Sequence, residues 1–380
     1  MVCPNCYGLA FLVDMIRFGK SLVRCALEIL GGWASGWQAV DTFLVLPFFM
    51  EHELGRAFHR YLLRRQRLCW VKMARRSEVV WFGPFCGEVG YELSYWIPWI
   101  RKFCEDLHLP DSRIGIITRG GAHVWYPNHL HSVELFGLLS VDGFLELQSS
   151  EYPTLIRNPE KRLIRGLGIS RRQIAHPREM HSAIAEFRGG ACGIESLDTY
   201  FRITPLDRSV VFDRIRGLEG FEEVATPQVF GSVRLYTNSL LGSESNVVRA
   251  WQMTLGCARE LTLVDIGPRA KLDDHTSVDS PRQGIETPLA LGLLRNNLAM
   301  QTLLILKSKV LISTYGGSSY IGLLTGVPTV AIESGNTHQK TAHYKFEEHI
   351  RNTFGNRYLR LPLSDPDAES QLSNFLAQVP

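Results

Sequence analysis

No apolar run in this 380-residue chain approaches the roughly 18 residues that a membrane-spanning helix requires. Asp14, Glu28, Asp41 and Glu51 interrupt every candidate in the Leu-, Phe- and Trp-rich first 76 residues, so no transmembrane helix is predicted. A charge excess is lacking too. The formal net charge of +3 is too small to imply nucleic-acid binding by bulk electrostatics, and no nucleic-acid partner is expected. Cysteines are eight but scattered, at Cys3, Cys6, Cys25, Cys69, Cys86, Cys104, Cys192 and Cys257, without the regular spacing of a disulfide scaffold. With no cleavable signal peptide apparent, a reducing, cytoplasmic setting is the expectation. The pair Cys3-Pro4-Asn5-Cys6 has zinc-knuckle spacing, yet no second Cys-x-x-Cys or paired His completes four ligands, and no metal or other cofactor is expected.

What is present is punctuated by glycine. Val310 to Ile332 reads as a buried strand, the small-residue turn Thr314-Tyr315-Gly316-Gly317-Ser318-Ser319, a two-turn helix and a second strand. Glycines let a ligand approach the backbone, and a helix start offers unpaired N–H groups and the positive end of its dipole. Parallel strands joined in this way hold ligands at their carboxyl ends. A phosphorylated ligand over Gly316, Gly317, Ser318 and Ser319 is therefore expected. Ser318 or Ser319 can cap the helix, Gly326 can end it, and Pro328 forbids its continuation.

Residues 1–76 read as an amphipathic, basic helical extension. Arg60, Arg64, Arg65, Arg67, Lys72, Arg75 and Arg76 interleave with Tyr61, Leu62, Leu63, Leu68 and Trp70. The stretch 59–76 fits either an anionic membrane surface, which would make the chain peripheral on its cytoplasmic face, or a solvated helix against the catalytic body. From there the chain alternates strand and helix signals. Strands are expected at Val79–Phe82, Ile114–Thr118, Gly143–Leu147, Val210–Phe212, Leu261–Val264, Val310–Ile312 and Thr329–Ile332. Helices are expected at Tyr91–Cys104, kinked at Pro98, and at Ser245–Glu260, Leu298–Lys307 and Ser319–Thr325. The fold class is α/β, two Rossmann-like domains facing across a cleft, spanning 77–206 and 207–345, with a tail at 346–380.

Three further stretches carry candidate chemistry. In Gly87-Glu88-Val89-Gly90-Tyr91-Glu92 the carboxylates oppose a diphosphate, so this turn suits a hydroxylated acceptor. Gly87, Gly90 and Glu92 then stand on the acceptor side, and Glu88 is the first candidate for a base. After a strand, His123 offers a second base, and Trp125 and Tyr126 offer aromatic faces for an acceptor. Following Val264, Arg269 and Lys271 are placed to neutralise a diphosphate leaving group, while Asp273, Asp274 and, further on, Glu333 suit sugar or ribose hydroxyls.

The motifs Gly83-Pro84-Phe85-Cys86-Gly87-Glu88-Val89-Gly90-Tyr91-Glu92-Leu93, Leu272-Asp273-Asp274-His275, and Asn297-Leu298-Ala299-Met300-Gln301 leading to Ser313-Thr314-Tyr315-Gly316-Gly317-Ser318-Ser319-Tyr320 resemble those of a set of bacterial glycosyltransferase-like proteins similar in outline to the GT-B class. The first also resembles the Gly-rich turn of fucosyltransferase-type enzymes, with Glu88 in place of the expected Arg, which disfavours a fucose donor. The resemblance spans about residues 78–350. It implies a nucleotide-sugar held by the C-terminal half, a glycan or lipid-linked cell-envelope acceptor held by the N-terminal half, and metal-independent transfer. Two alternatives stand beside it: a nucleotide-sugar epimerase on the same fold, and a non-catalytic nucleotide-binding scaffold.

Overall fold

A computed structural model describes residues 68, 70–148, 158–177, 180, 203–218, 230–238, 240–258, 260–264, 276–277, 285–286, 294–335, 347–352, 355 and 357–379. The chain divides into two compact units, one of Met1–Arg76 with Glu179–Tyr200 and one of Ser77–Arg178 with Phe201–Pro380. Of the first unit's basic segment, residues 70–76 are helical, with Lys72, Arg75 and Arg76 exposed and Met73 and Ala74 buried. Among the described residues no helix is long and apolar enough to cross a membrane.

The second unit holds two parallel sheets. In chain order the first half contains β1 (Val80–Phe82), α1 (Ile97–Asp106), β2 (Ile114–Thr118), β3 (His131–Glu134), α2 (Val141–Gln148), α3 (Asn158–Gly166) and β4 (Ile174–Ala175). After α4 (Arg208–Arg216) come β5 (Gly231–Arg234), β6 (Tyr236–Thr237), α5 (Glu244–Cys257), β7 (Leu261–Leu263), β8 (Thr276–Ser277), β9 (Ile285–Glu286) and α6 (Asn297–Lys307). The chain continues through β10 (Val310–Thr314), α7 (Gly317–Thr325), β11 (Thr329–Glu333), β12 (Tyr358–Pro362) and α8 (Ala368–Ala377). The sheets run β3-β2-β1-β4 and β12-β11-β10-β5-β7-β9, with parallel pairing throughout, and β6 with β8 forms a small antiparallel ribbon.

Apolar runs explain the central strands. Every residue of β2, β10 and β11 is buried, as expected of parallel strands covered on both faces. In α5, Val247, Ala250, Trp251 and Thr254 recur at helical spacing and are buried. Val247, Ala250 and Trp251, with Leu372 and Leu376 of α8, pack on Val233, Val310, Ile312 and Val330 of the sheet. Residues 346–380 are thus no mere tail, since β12 extends the sheet beside β11 and α8 covers it.

Three expected elements differ. Val210–Phe212 lies in helix α4, because the Asp207 carboxylate accepts hydrogen bonds from the Ser209 and Val210 N–H groups at 2.9 and 3.1 Å and caps it. Only Val211 and Ile215, four residues apart, are buried there. Gly143–Leu147 belongs to helix α2, and the Gly143 N–H donates to Ser140 Oγ at 3.1 Å at its start. The helical run that begins at Val89 is interrupted not at Pro98 but before it, by a π-turn at Glu92–Trp96. Pro98 has no N–H to offer the preceding turn, and it sits comfortably at the start of α1.

Sheet topology fixes where a ligand belongs. From β5 the chain moves to β7 on one side, and from β10 it moves to β11 on the other, so strand order reverses between neighbours β5 and β10. Crevices at the carboxyl ends of strands open at such reversals.

Candidate functional site

At that reversal, β5 ends in Arg234 and β10 runs into Tyr315-Gly316-Gly317-Ser318-Ser319. Gly316 holds φ 147°, a conformation that favours glycine, and stands as the cap residue of α7. Ser319 Oγ accepts from the Gly316 N–H at 3.2 Å and donates to the Gly316 carbonyl at 2.8 Å, tying the turn to the first helical turn. Gly326, at φ 73°, closes α7 as the sequence suggests. Arg234, which the sequence reading did not single out, donates from Nη1 to Ser318 Oγ at 2.6 Å and lies 5.1 Å over the Tyr236 ring. Its Nε is buried without a hydrogen-bond partner among the described residues. A guanidinium beside a helix N-terminus concentrates positive potential at the turn.

The N-terminal half brings its own glycine turn to this point. A Cβ added at Gly317 would lie 2.8 Å from Gly90 N and 3.0 Å from Val89 Cβ, and one added at Gly90 would lie 3.3 Å from the Tyr320 ring. Two turns assigned to donor and acceptor separately therefore form one contact between facing sheets. Ser318 and Ser319 are buried beneath it. Gly87, Gly90, Gly316 and Arg234 are half-buried, and Glu88 is exposed at the extended cap position just before the helical run.

Other expected acceptor contacts are interior. Glu92 is fully buried: Arg119 Nη1 donates to it at 2.8 Å, Thr118 Oγ1 at 3.1 Å and Tyr126 OH at 2.5 Å. That ion pair and its neighbours consume the carboxylate. Tyr126 is itself buried, and Trp125 donates its indole N–H to Thr302 Oγ1 at 3.0 Å. Neither aromatic ring offers a face to an acceptor here. Glu333 is also enclosed, 3.4 Å from Arg360 Nε, so its side chain is not placed for a ribose. Hydrophobic and polar lettering alone does not tell a packed aromatic or paired acid from an exposed one.

His123 stands elsewhere. It lies in the β2–β3 crossover, in edge contact with His129 at 5.9 Å between ring centroids, and burial, His129 and Arg214 push its pKa down to about 4. A neutral imidazole results, but not at the glycine contact. Arg269, Lys271, Asp273 and Asp274 lie outside the described residues.

Behind the Gly316 turn sits a second feature that the sequence did not disclose. Tyr315 and Tyr320 hydroxyls lie 3.4 Å apart, and Tyr358 OH donates to the Glu347 carboxyl at 2.8 Å. Burial pushes Glu347 up to about 7, against the opposing pull of Tyr315, Tyr358 and Arg360. Among the described residues no group of three or more His, Cys, Asp or Glu side chains is arranged to hold a metal ion.

Fold and site together define an α/β protein of two facing parallel Rossmann-like sheets with a glycine turn at the reversal point of the second. No family model matches the chain, and no curated protein matches it. Two solved structures resemble it. One is the UDP-GlcNAc 2-epimerase from Methanocaldococcus jannaschii, at 11% identity over 79% of this chain and 92% of that one, TM-score 0.36. The other is the glycosyltransferase SnogD from Streptomyces nogalater, at 12% identity over 80% of this chain and 96% of that one, TM-score 0.32. Neither likeness bears on chemistry at these values, and the fold assignment rests on the strand orders.

Proposed function

We propose that the protein is a glycosyltransferase of GT-B outline, acting without a metal on a nucleotide-sugar. The observation that carries this reading is Arg234 at the end of β5, reaching Ser318 across the strand reversal with its Nε unused. In this reading the diphosphate lies against Gly316, at the edge of the glycine contact, where the α7 N-terminus and the Arg234 guanidinium offset the charge that develops on the leaving group. Glu88, exposed at the rim, is the general base that takes the proton from an attacking acceptor hydroxyl. Arg269 and Lys271 add positive charge, and Asp273 and Asp274 accept hydrogen bonds from sugar hydroxyls. The acceptor is a glycan or a lipid-linked cell-envelope intermediate, with the basic segment 59–76 resting on an anionic membrane surface.

The test is a thermal-shift and calorimetric screen of UDP, GDP, ADP, CDP and dTDP, with and without Mg²⁺, on the wild type and Arg234→Gln. A ligand at 100 times its dissociation constant adds about 2.7 kcal/mol to stability, a shift of several degrees. Expected is one nucleotide that binds without metal and is lost in the variant. Failure of every nucleotide refutes the proposal. Conversion of the matching sugar nucleotide without any acceptor favours the epimerase alternative, and binding without any turnover favours the scaffold.

A further inference from the structure

A cavity of roughly 500 Å³ opens between the β2–β3 crossover and the C-terminal end of α4, lined by Asp111, Ser112, His123, His129, Arg214 and Leu218 among others. Its position separates it from the glycine contact. Asp111 and Ser112 immediately precede β2, and His129 immediately precedes β3 by two residues, so the cavity lies toward the amino ends of strands whose carboxyl ends face the second sheet. Its size is that of ordinary small-molecule sites.

The wall chemistry is narrow. Arg214 brings charge, and three of its five N–H groups are engaged: Nη1 on the Val124 and Tyr126 carbonyls at 3.2 and 2.6 Å, and Nη2 on Asn128 Oδ1 at 2.5 Å. With Oδ1 so engaged, Asn128 offers its amide N–H groups. His129 Nδ1 lies 2.7 Å from the Pro127 carbonyl, so in the neutral ring Nδ1 carries the hydrogen and Nε2 is a hydrogen-bond acceptor. Burial lowers the pKa of both His123 and His129, and Arg214 adds to the effect, which keeps both rings neutral at pH 7. An environment that resists protonation of two imidazoles disfavours an ammonium ligand. Asp111 in turn opposes a phosphate or carboxylate, and its charge and that of Arg214 on the same wall offset one another, which leaves the lining close to neutral.

Acceptors (Asp111, His129 Nε2), donors (Asn128, Ser112) and the apolar Leu218 remain, a set that matches the hydroxyls and C–H faces of an uncharged sugar. We infer that this cavity is a binding site for a neutral saccharide, separate from the glycine contact. The inference does not depend on the nucleotide-sugar reading.

Saturation-transfer NMR and thermal shift with N-acetylglucosamine, chitobiose, cellobiose and maltose at millimolar concentration, with inorganic phosphate in parallel, test it. Expected is binding of at least one saccharide to the wild-type chain, weakened tenfold or more in both His129→Phe and Asp111→Asn, and retained in Arg234→Gln. Asp111 is exposed, so its variant folds whatever His129→Phe does. Absence of saccharide binding overturns the inference, as does saccharide binding that ignores both cavity variants or is lost in Arg234→Gln. Phosphate binding that depends on His129 overturns it as well.

Discussion

Gly317 and Gly90 meet backbone to backbone: a Cβ on the first would stand 2.8 Å from the amide nitrogen of the second. Gly317→Ala is therefore expected to cost about 1–3 kcal/mol through overpacking. In a unit of this size that lowers Tm by several degrees in thermal unfolding. An unchanged Tm would mean that the two turns do not touch in solution.

Glu92 and Arg119 form a buried ion pair in which each neutralises the other. Glu92→Gln and Arg119→Met each leave a buried charge without its partner and are expected to lower unfolding free energy by about 3–5 kcal/mol. The double variant Glu92→Gln with Arg119→Met should recover much of that loss. Urea titrations of the three proteins measure it, and strict additivity would refute the pairing.

His123 titrates near 4 in the folded chain and near its ordinary 6.5 when unfolded. Between those values the unfolded chain binds the extra proton, so stability falls as pH drops through this window. It falls by up to about 3 kcal/mol from this residue. His123→Asn should flatten the acid limb of a stability-against-pH curve, and an identical limb would count against burial of this ring.

Glu347 contributes with the opposite sign. Its carboxyl titrates near 7 when folded and near 4.5 when unfolded, so the folded chain holds the extra proton between them and stability falls as pH rises through that range. Glu347→Gln is accordingly expected to gain on the wild type between pH 5 and 8, as read by paired melting curves. A constant difference across pH would show that Glu347 is ionised throughout.

Arg234→Lys separates charge from shape. The ammonium keeps the charge but loses the planar fork that holds Ser318 and, in the proposed function, a phosphate as well. Nucleotide affinity is expected to fall at least tenfold by calorimetry while Tm changes little, and full retention would mean that charge alone suffices.

How much of this was legible varies with the element. Val310–Thr314 and Thr329–Glu333 announce themselves as apolar runs because parallel strands are buried on both faces. Gly231-Ser232-Val233-Arg234, central in the same sheet, has no such run, since Leu261 and Val310 side chains fill the space over Gly231. With β5 unread, Arg234 could not be seen to end beside Ser318. The two glycine turns were readable as turns, but their meeting is a tertiary fact that no local pattern encodes. Trp125, Tyr126 and Glu92 were misplaced for the reverse reason, since residues apt for ligands are equally apt for a hydrogen-bonded interior.

Helix α4 is fastened at its two ends to different halves of the second unit. Its Arg208 guanidinium donates to the Leu306 carbonyl in the second half, the preceding Leu206 N–H donates to the Leu324 carbonyl at 2.8 Å, and Arg214 grips the β2–β3 crossover in the first. The helix works as a tie rod. Hinge opening of one sheet from the other would have to tear these guanidinium clamps from their carbonyls. With α4 bridging them in this way, the two sheets are expected to melt together, as one transition in a calorimetric scan.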